Sequence, residues 1–282
     1  RLENGKEGEY LTDRLTDEAV HLIETHGDSP FYLNLAHYAV HTPLGAKPEL
    51  EKKYEALADR SSFQHNATYA AMIQSVDESL AKLLAALERK GILDNTLIIV
   101  TSDNGAVHRI SGSYPLRKGK GSEYEGGVRV PLITYWKGHI LPNQRNSTPV
   151  ITMDLFSTVL DVACVELKDE KVDGISLLPV IKGEDLKVRP LFWHYPHYHN
   201  GGARPYSSVR LGEWKLIKQY ETHTYELYNL KEDIGEKEDL SKKNPDKVNE
   251  LRGILEKWLK NVDAQLPFAN ANWNSEKERK TG

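Results

Sequence analysis

The chain has 282 residues, of which 39% are hydrophobic and 28% are charged, and its net charge at pH 7 is -4. These ordinary values suit a globular protein with a sizeable core, and the slight acidity gives no electrostatic reason to expect a nucleic-acid partner. No apolar run approaches the ~20 residues that a membrane-spanning helix needs, so we expect no membrane span.

Hydrophobic periodicity predicts alternating helices and strands over residues 1–183. Three helices are predicted, at residues 16–25, 68–89 and 153–162, and in the second of these the apolar residues recur every three or four positions. Short apolar runs predict three strands, at residues 31–36, 97–100 and 128–135. Helices that alternate with strands are typical of an α/β fold built on a mostly parallel sheet.

A polar link at residues 179–183 precedes a different pattern. Four strand-like runs follow closely on one another, at residues 191–194, 207–211, 214–220 and 226–230. An amphipathic helix is predicted at residues 246–262, and its apolar face would pack across the small sheet. We therefore predict an α/β domain over residues 1–183 and a small α+β subdomain over residues 184–282. The mixed charges of residues 232–237 predict a solvated face.

Polar side chains follow the predicted strands at the points where the strands end. Asp103 and Asn104 come directly after the second predicted strand, and His41 follows the first. The carboxyl ends of parallel strands meet at one edge of a sheet, so we expect these residues and Lys120 to gather there. Adjacent carboxylate and amide oxygens suit a hard cation. Because Asp-Asn-Gly is also common in turns, these residues alone leave a plain turn open.

Four segments, in this order along the chain, resemble the type I sulfatases of the alkaline phosphatase superfamily. They are His-Thr-Pro at residues 41–43, Ser-Asp-Asn-Gly at 102–105, Pro-Leu-Arg-Lys-Gly-Lys-Gly at 115–121 and Tyr-Glu-Gly-Gly-Val-Arg-Val-Pro at 124–131. The resemblance runs nearly the whole length, and several ordered motifs are far more specific than any one of them. It implies a mostly parallel sheet flanked by helices, as in alkaline phosphatase, followed by a small C-terminal antiparallel sheet with one helix.

The resemblance also implies a reaction, the hydrolysis of a sulfate ester of a carbohydrate or an aryl alcohol. In that family a formylglycine hydrate attacks sulfur. Asp103 and Asn104 would bind the divalent cation, Ca2+ or Mg2+, because two hard oxygen donors suit these ions better than zinc. Lys120, on a flexible loop flanked by glycines, would contact a sulfate oxygen and stabilise the transition state. His41 would bind a sulfate oxygen or protonate the departing alkoxide.

Three further histidines, His108, His194 and His197, are candidates for substrate contacts. The last two belong to a loop at residues 193–202 that combines aromatic rings, imidazoles and glycines. Flat rings and neutral hydrogen-bonding groups suit a sugar, although the same aromatic residues could simply pack the core of the small subdomain. A structural role is an equal alternative for His108, and we expect His37 to be structural.

The nucleophile of the family lies in a Cys/Ser-x-Pro-x-Arg motif, and this motif and an Asp pair precede the His-Thr-Pro segment. We expect both to lie before Arg1. Cys164 lacks the Pro and the Arg, so we predict a small buried residue there. Ser113 fits the pattern formally, but its Pro and Arg belong to the segment at residues 115–121, so we reject it. The isolated chain should hold half of an active site and be inactive, and it should be poorly stable because its parallel sheet would be uncovered.

The implied function brings further expectations. The full protein would need a formylglycine-installing enzyme, and the family places it in the periplasm or outside the cell. Two other functions stay open. A phosphate-ester hydrolase of the same superfamily would share the scaffold, although such enzymes commonly carry His where Asn104 stands. A non-catalytic remnant could instead bind sulfated glycans, without cleaving them, through Lys120 and the loop at residues 193–202. The sequence does not identify the sulfated substrate.

Overall fold

The computed structural model of the chain describes residues 4–59, 61–62, 64–166, 171–268 and 270. The chain forms two compact units. The first unit consists of residues 1–114 and 129–186, and the second unit consists of residues 115–128 and 187–282. The division of the protein into domains at residue 183 stays a prediction, and the structure adds that residues 115–128 group with the second unit.

The described part of the chain contains seven α-helices and six strands. The α-helices are α1 (Leu11–Thr25), α2 (Pro48–Leu57), α3 (Ala67–Arg89), α4 (Glu125–Val128), α5 (Met153–Val162), α6 (Leu178–Ile181) and α7 (Pro245–Asn261). The strands are β1 (Ile98–Thr101), β2 (Leu132–Tyr135), β3 (Pro190–Tyr195), β4 (Tyr206–Leu211), β5 (Trp214–Gln219) and β6 (Thr224–Asn229). A short 3-10 helix at Leu93–Asn95 leads into β1.

In the first unit, α1 and α2 both pack against α3. The core between α1 and α3 contains Ile23, Ala86 and Leu87, which recur on the apolar stripes of these helices. A buried hydroxyl pair joins the two helices, because the Thr16 Oγ1 donates to Ser79 Oγ at 2.7 Å. The long helix α3 begins where the sequence supplies a cap, and the Asn66 side chain accepts a hydrogen bond from the amide of Tyr69.

The sheet of the first unit differs from the predicted parallel arrangement. Strands β1 and β2 pair antiparallel, with Ile98 opposite Tyr135 and Thr101 opposite Leu132. The apolar run at residues 31–36 was predicted to be a strand, and this prediction is wrong for the described structure. An extended segment becomes a strand only when a neighbour supplies its hydrogen bonds, and among the described residues nothing pairs with this run.

The second unit is built on a four-stranded antiparallel sheet in the order β3-β4-β5-β6. Successive residues of a strand point to opposite faces, and in β5 both Leu216 and Ile217 are fully buried. On one face Leu216 packs with Leu251 and Leu255 of α7. On the other face Ile217 packs with Tyr124, which belongs to the segment at residues 115–128. The small sheet is therefore covered on both faces.

Most predicted elements are confirmed. The four predicted helices correspond to α1, α3, α5 and α7, and α1 begins five residues earlier than predicted, at Leu11. The four predicted strands of the small sheet match β3 to β6 within two residues at each end. The fold class, an α/β arrangement followed by a small antiparallel sheet with one helix, is confirmed as well. Helix α2 and the short helices were not predicted.

The prediction of a buried Cys164 is wrong, because this side chain is exposed. Cys164 follows α5 with a left-handed backbone, at a φ of 53°. The amide of Val165 donates to the carbonyl of Leu160, and the amide of Cys164 donates to the carbonyl of Asp161. These two bonds form a Schellman motif, so the residue ends a helix instead of filling a core.

Among the described residues, no helix combines the length with the apolar composition that crossing a bilayer would require.

The packing of α7 on the small sheet gives a stability prediction. Leu255 is fully buried against the sheet, so Leu255→Ala should lower the free energy of unfolding by about 2–5 kcal/mol through lost burial and the cavity left behind. Lys257 lies exposed on the same helix, and Lys257→Ala should change it by no more than about 0.5 kcal/mol. Urea denaturation measures both, and equal effects would contradict this packing.

Candidate active site

The turn after β1 carries the predicted metal ligands. The Ser102 Oγ donates to the backbone oxygen of Asn104 at 3.0 Å, and the Asn104 amide nitrogen donates to the carbonyl of Gly105 at 3.1 Å. This second bond uses the nitrogen end of the Asn104 side chain and leaves Oδ1 as an acceptor. Asp103 is exposed, and its carboxylate makes no hydrogen bond or ion pair among the described residues. The carboxylate of Asp103 and Oδ1 of Asn104 are therefore available to bind a ligand.

The donor chemistry of this turn fits part of a hard-cation site. One carboxylate and one amide oxygen, from Asp103 and Asn104, are the donor types that Ca2+ and Mg2+ take. A Ca2+ ion takes six to eight oxygens, so these two side chains account for a fraction of the shell. In the described part of the chain, no group of three or more His, Cys, Asp or Glu residues could hold a metal.

His41 lies in an exposed turn of the first unit. Its Nδ1 is 2.7 Å from the carbonyl of Thr42, which orients the ring. Because a carbonyl can only accept, Nδ1 carries the hydrogen in this contact, and Nε2 is the nitrogen left to act as an acceptor in the neutral ring. His108 is exposed in another turn of the same unit. Its predicted role as a substrate contact stays a prediction.

His37 has the structural position that we expected for it. Its Nε2 is 2.9 Å from Ser79 Oγ on α3. Its Nδ1 is buried and has no hydrogen-bond partner among the described residues. Burial lowers the pKa of this imidazole, because a buried ring disfavours the charged form.

Lys120 belongs to residues 115–128 of the second unit, here called the Lys120 segment. Its glycines allow close backbone contacts, in place of the flexibility that the sequence suggested. A Cβ added to Gly127 would lie 2.2 Å from the carbonyl oxygen of Ser122, and one added to Gly201 would lie 2.2 Å from that of Lys120. The amide of Ala203 donates to the carbonyl of Gly121 at 3.0 Å. The backbone around Lys120 is therefore packed on both sides.

Three charged side chains, one of them from the Lys120 segment, form a buried group in the second unit. Lys215 of β5 places its Nζ 3.0 Å from Glu125 Oε1 and 2.9 Å from Glu236 Oε1. These three residues, here called the buried ionic cluster, are each no more than 2% exposed. Arg210 of β4 places Nη1 3.6 Å from the other oxygen of Glu125. Burial raises the pKa of Glu236, and the ammonium of Lys215 acts in the opposite direction.

Arg117 connects the Lys120 segment to the small sheet. Its guanidinium carbon lies 3.8 Å from the centre of the Tyr124 ring. Its Nη1 donates to the hydroxyl of Tyr228 and to the backbone oxygen of Glu236, each at 2.9 Å. Both tyrosine hydroxyls donate to one oxygen of Glu226. Burial raises the pKa of both tyrosines, so they stay neutral donors.

An open cavity of about 370 Å3 lies within the second unit. Two glycines of the predicted carbohydrate loop, Gly201 and Gly202, line it together with Arg117, Arg204 and Glu221. Arg204 and Glu221 form an ion pair of 3.1 Å. The lining is polar and carries both signs of charge.

The two predicted substrate contacts of the second unit, His194 and His197, have different surroundings in the structure. His194 places Nδ1 2.7 Å from Ser207 Oγ and Nε2 2.9 Å from the carbonyl of Gln265, so both ring nitrogens are in use. This geometry favours a structural role for His194 in place of the predicted substrate contact. His197 is exposed and contacts Tyr195 edge to face at 5.5 Å. Its predicted role stays a prediction.

Sequence reasoning missed the buried ionic cluster. The run at residues 232–237 was predicted to be solvated, and this is wrong for Glu236, which is fully buried. Lys215 stands in the run Trp-Lys-Leu-Ile, where a lysine interrupts an otherwise apolar strand. A charge within such a strand is a signal of a buried ion pair, because lysine is almost never buried without a partner.

Two family models match this chain. The one described as Sulfatase matches residues 1–165, and the one described as N-sulphoglucosamine sulphohydrolase, C-terminal, matches residues 119–265. His41, Asp103, Asn104 and Lys120 fall within the first match. The second match covers Lys120 again together with His194 and His197.

Curated relatives and a solved structure are similar over most of the chain. A sulfatase of Formosa agariphila is 36% identical over 278 residues, which is 89% of this chain and 50% of the relative. The uncharacterized sulfatase YdeN of Escherichia coli is 31% identical, over 93% of this chain and 52% of its own. The chain thus spans about half the length of these relatives. The crystal structure of Ps i-CgsB in complex with k-i-k-neocarrahexaose is 32% identical with a TM-score of 0.81, over 98% of this chain and 60% of that one.

The close packing of the Lys120 segment gives a prediction. Gly127→Ala should lower the free energy of unfolding by about 1–3 kcal/mol, because its Cβ would overlap the carbonyl oxygens of Ser122 and Gly119. Gly253 on α7 has nothing within 4 Å of its added Cβ, so Gly253→Ala should raise it by about 0.5–1 kcal/mol. Urea denaturation compares the two, and a neutral Gly127→Ala would contradict the packing.

The burial of His37 gives a pH prediction. Its folded pKa lies below the ordinary histidine value of 6.5, so between these two values the unfolded chain binds more protons than the folded chain. The contribution of neutral His37 to the free energy of unfolding is fully present above the ordinary histidine pKa. It is lost as the pH falls through the folded pKa. His37→Gln, whose amide can still reach Ser79, should therefore lose less unfolding free energy than wild type between about pH 7 and about pH 5. An equal loss in both proteins would contradict the assignment.

Proposed function

Because the chain belongs to the sulfatase family, we propose that the protein hydrolyses sulfate esters, with sulfated carbohydrates as its substrates. The observation that carries this proposal is the family match over residues 1–165, which includes His41, Asp103, Asn104 and Lys120. The solved relative bound to a neocarrahexaose supports the choice of a carbohydrate. The polar cavity within the second unit also supports it, because sugars are held mainly by hydrogen bonds from such side chains.

Asp103 and Asn104 are proposed as ligands of a divalent cation, Ca2+ or Mg2+. The exposed carboxylate of Asp103 makes no contact among the described residues that would have to be broken. The Asn104 side chain is already turned by its bond to the carbonyl of Gly105, so its oxygen is left for the ion. A bound cation would supply positive charge to the oxygens of the sulfate ester. Asn104 also argues against a phosphate-ester hydrolase with a second, softer metal.

Lys120 is proposed to contact a sulfate oxygen. Its ammonium would stabilise the negative charge that the leaving oxygen and the sulfuryl group share in the transition state. The packed backbone around it supports this role, because a preorganised charge loses little free energy to reorganisation during the reaction. The family's formylglycine is the proposed nucleophile, and we propose that the isolated chain, which spans about half of its relatives, is inactive.

His41 is proposed as the group that donates a proton to the departing alkoxide or binds a sulfate oxygen. Its exposed ring is oriented by Thr42 and keeps Nε2 for the substrate. As a general acid the ring would be doubly protonated, with the transferable proton on Nε2. His197 and His108 are retained as proposed substrate contacts. A periplasmic or extracellular location and a formylglycine-installing partner enzyme complete the proposal.

Release of inorganic sulfate tests the function. The full-length protein should release sulfate from at least one member of a panel of sulfated oligosaccharides and an aryl sulfate. Asp103→Asn and Lys120→Met should each lower kcat/KM by about 100- to 1,000-fold, because each removes one group that stabilises developing charge. Asp28→Asn is the matched control, since Asp28 is exposed in the first unit and has no proposed role. Chelation should abolish sulfate release, and Ca2+ or Mg2+ should restore it.

A melting experiment separates metal binding from catalysis. Ca2+ at about 100 times its dissociation constant should stabilise the wild-type protein by about 2.7 kcal/mol and raise its Tm. The Asp103→Asn variant should show a much smaller rise. Undiminished sulfate release by Asp103→Asn would overturn the metal role, and cleavage of phosphate esters in place of sulfate esters would overturn the proposed substrate class.

A further inference from the structure

Lys215 is a wholly buried lysine that has no role in the proposed reaction. It is the second residue of β5, and among the described residues its ammonium forms ion pairs with Glu125 and Glu236. It lies on the same face of the strand as Ile217, two residues on, which packs against Tyr124 of the Lys120 segment. The charge therefore sits between the small sheet and the segment that carries Lys120.

The stability of the fold does not explain this charge. Moving ions out of water is costly, and well-packed apolar side chains of similar volume are often as stabilising as a buried ion pair, or more so. The cluster sits beside an apolar core, so apolar residues at these positions would have continued that core. An ion pair instead fixes the relative positions of the groups it joins, because its attraction and hydrogen bonds are satisfied in one arrangement only.

The ion pairs and hydrogen bonds of the buried ionic cluster connect it to the Lys120 segment. Glu125 is the first residue of α4, and its backbone amide donates to Glu236 Oε2 at 2.7 Å while its own carboxylate takes the ammonium of Lys215. Arg117, at the other end of the segment, donates to the backbone oxygen of Glu236. The amide of Gly126 donates to the carbonyl of Arg117 at 2.9 Å and closes the segment into a loop. Lys120 lies inside that loop.

The backbone conformations of two residues indicate that the surrounding contacts constrain this loop. Lys118 and Glu236 both have left-handed backbones, at φ of 62° and 50°, which side chains other than glycine seldom adopt. Such conformations persist where the surrounding contacts determine them, and they concentrate at functional sites. Here one lies two residues before Lys120 and the other belongs to the buried ionic cluster.

We propose that Lys215 is a positioning residue for sulfate-ester hydrolysis: by holding Glu125 and Glu236 it fixes the loop backbone from which Lys120 reaches the sulfate. The inference rests on the proposed function of Lys120. Misplacement of a catalytic group by about 1 Å can lower a rate about 100-fold, so the loop needs a rigid support. An apolar contact alone would let the segment slide along the sheet, and the ionic cluster opposes that motion.

A double-mutant cycle in the full-length protein tests the proposal. Lys215→Met should lower kcat for sulfate release by about 10- to 100-fold with a smaller change in KM, and Lys215→Arg should restore part of the rate. In a Lys120→Ala background, Lys215→Met should cause no further loss, because its effect acts through Lys120. Lys231→Met is the matched control, since Lys231 forms an exposed ion pair with Glu213. An unchanged kcat, or equal losses in both backgrounds, would overturn the proposal.

Trypsin supplies a readout that does not depend on activity. Cleavage after Arg117, Lys118 and Lys120, mapped by mass spectrometry below the melting temperature, should be faster in Lys215→Met than in wild type or Lys231→Met. Cleavage at the wild-type rate would overturn the positioning role, while a wild-type protein that releases no sulfate would count against the proposed function instead. If Lys215→Met does not fold, a variant with Glu236→Gln added removes the second carboxylate that Lys215 held, keeps Glu125 beside Arg210 and takes its place in both experiments.

Discussion

The second unit depends on the way three buried charges hold one loop against a small sheet. Lys215 bridges Glu125 and Glu236, and the backbone amide of Glu125 completes the group through Glu236. Because the sheet is covered by α7 on its other face, the loop side is where β5 meets the Lys120 segment. The glycines of that segment let backbone approach backbone, and the charges decide the register in which they meet.

The proposed catalytic groups differ in how the structure supports them. Asp103 is exposed in a turn and makes no hydrogen bond or ion pair within the described part of the chain, so its carboxylate is available to bind an ion. Lys120 instead sits on a backbone that is packed on both sides. This difference follows the chemistry. A cation organises flexible oxygen donors around itself, whereas a single ammonium must be placed by the protein.

Local patterns in the sequence predicted most of the fold because local forces decide those elements. The amphipathic helices α3, α5 and α7 and the strands of the small sheet follow directly from periodicity. Pairing between distant segments does not, so the antiparallel pairing of β1 with β2 was not predicted, and the unpaired run at residues 31–36 was wrongly predicted to be a strand. Cys164 was missed for a related reason, because its exposure follows from the turn that ends α5.

The residues of the candidate site, like the elements of the fold, were predictable from the sequence only in part. Asp103, Asn104, His41 and Lys120 are proposed from motif order and donor chemistry, both of which are visible in the sequence. The buried ionic cluster was not predicted, because its members come from three separate segments and the sequence does not show which of these segments meet. His194 looked available by composition, but its two ring nitrogens are taken by Ser207 and by a carbonyl far along the chain.

Hydrogen–deuterium exchange on the full-length protein tests most directly whether the buried ionic cluster holds the Lys120 segment. The amide of Gly126 bonds to the carbonyl of Arg117, so its exchange reports whether the loop is closed. In Lys215→Met, peptides that cover residues 117–127 should exchange about tenfold faster than in wild type, while peptides of α7 keep their protection. Unchanged protection of residues 117–127 would contradict the account.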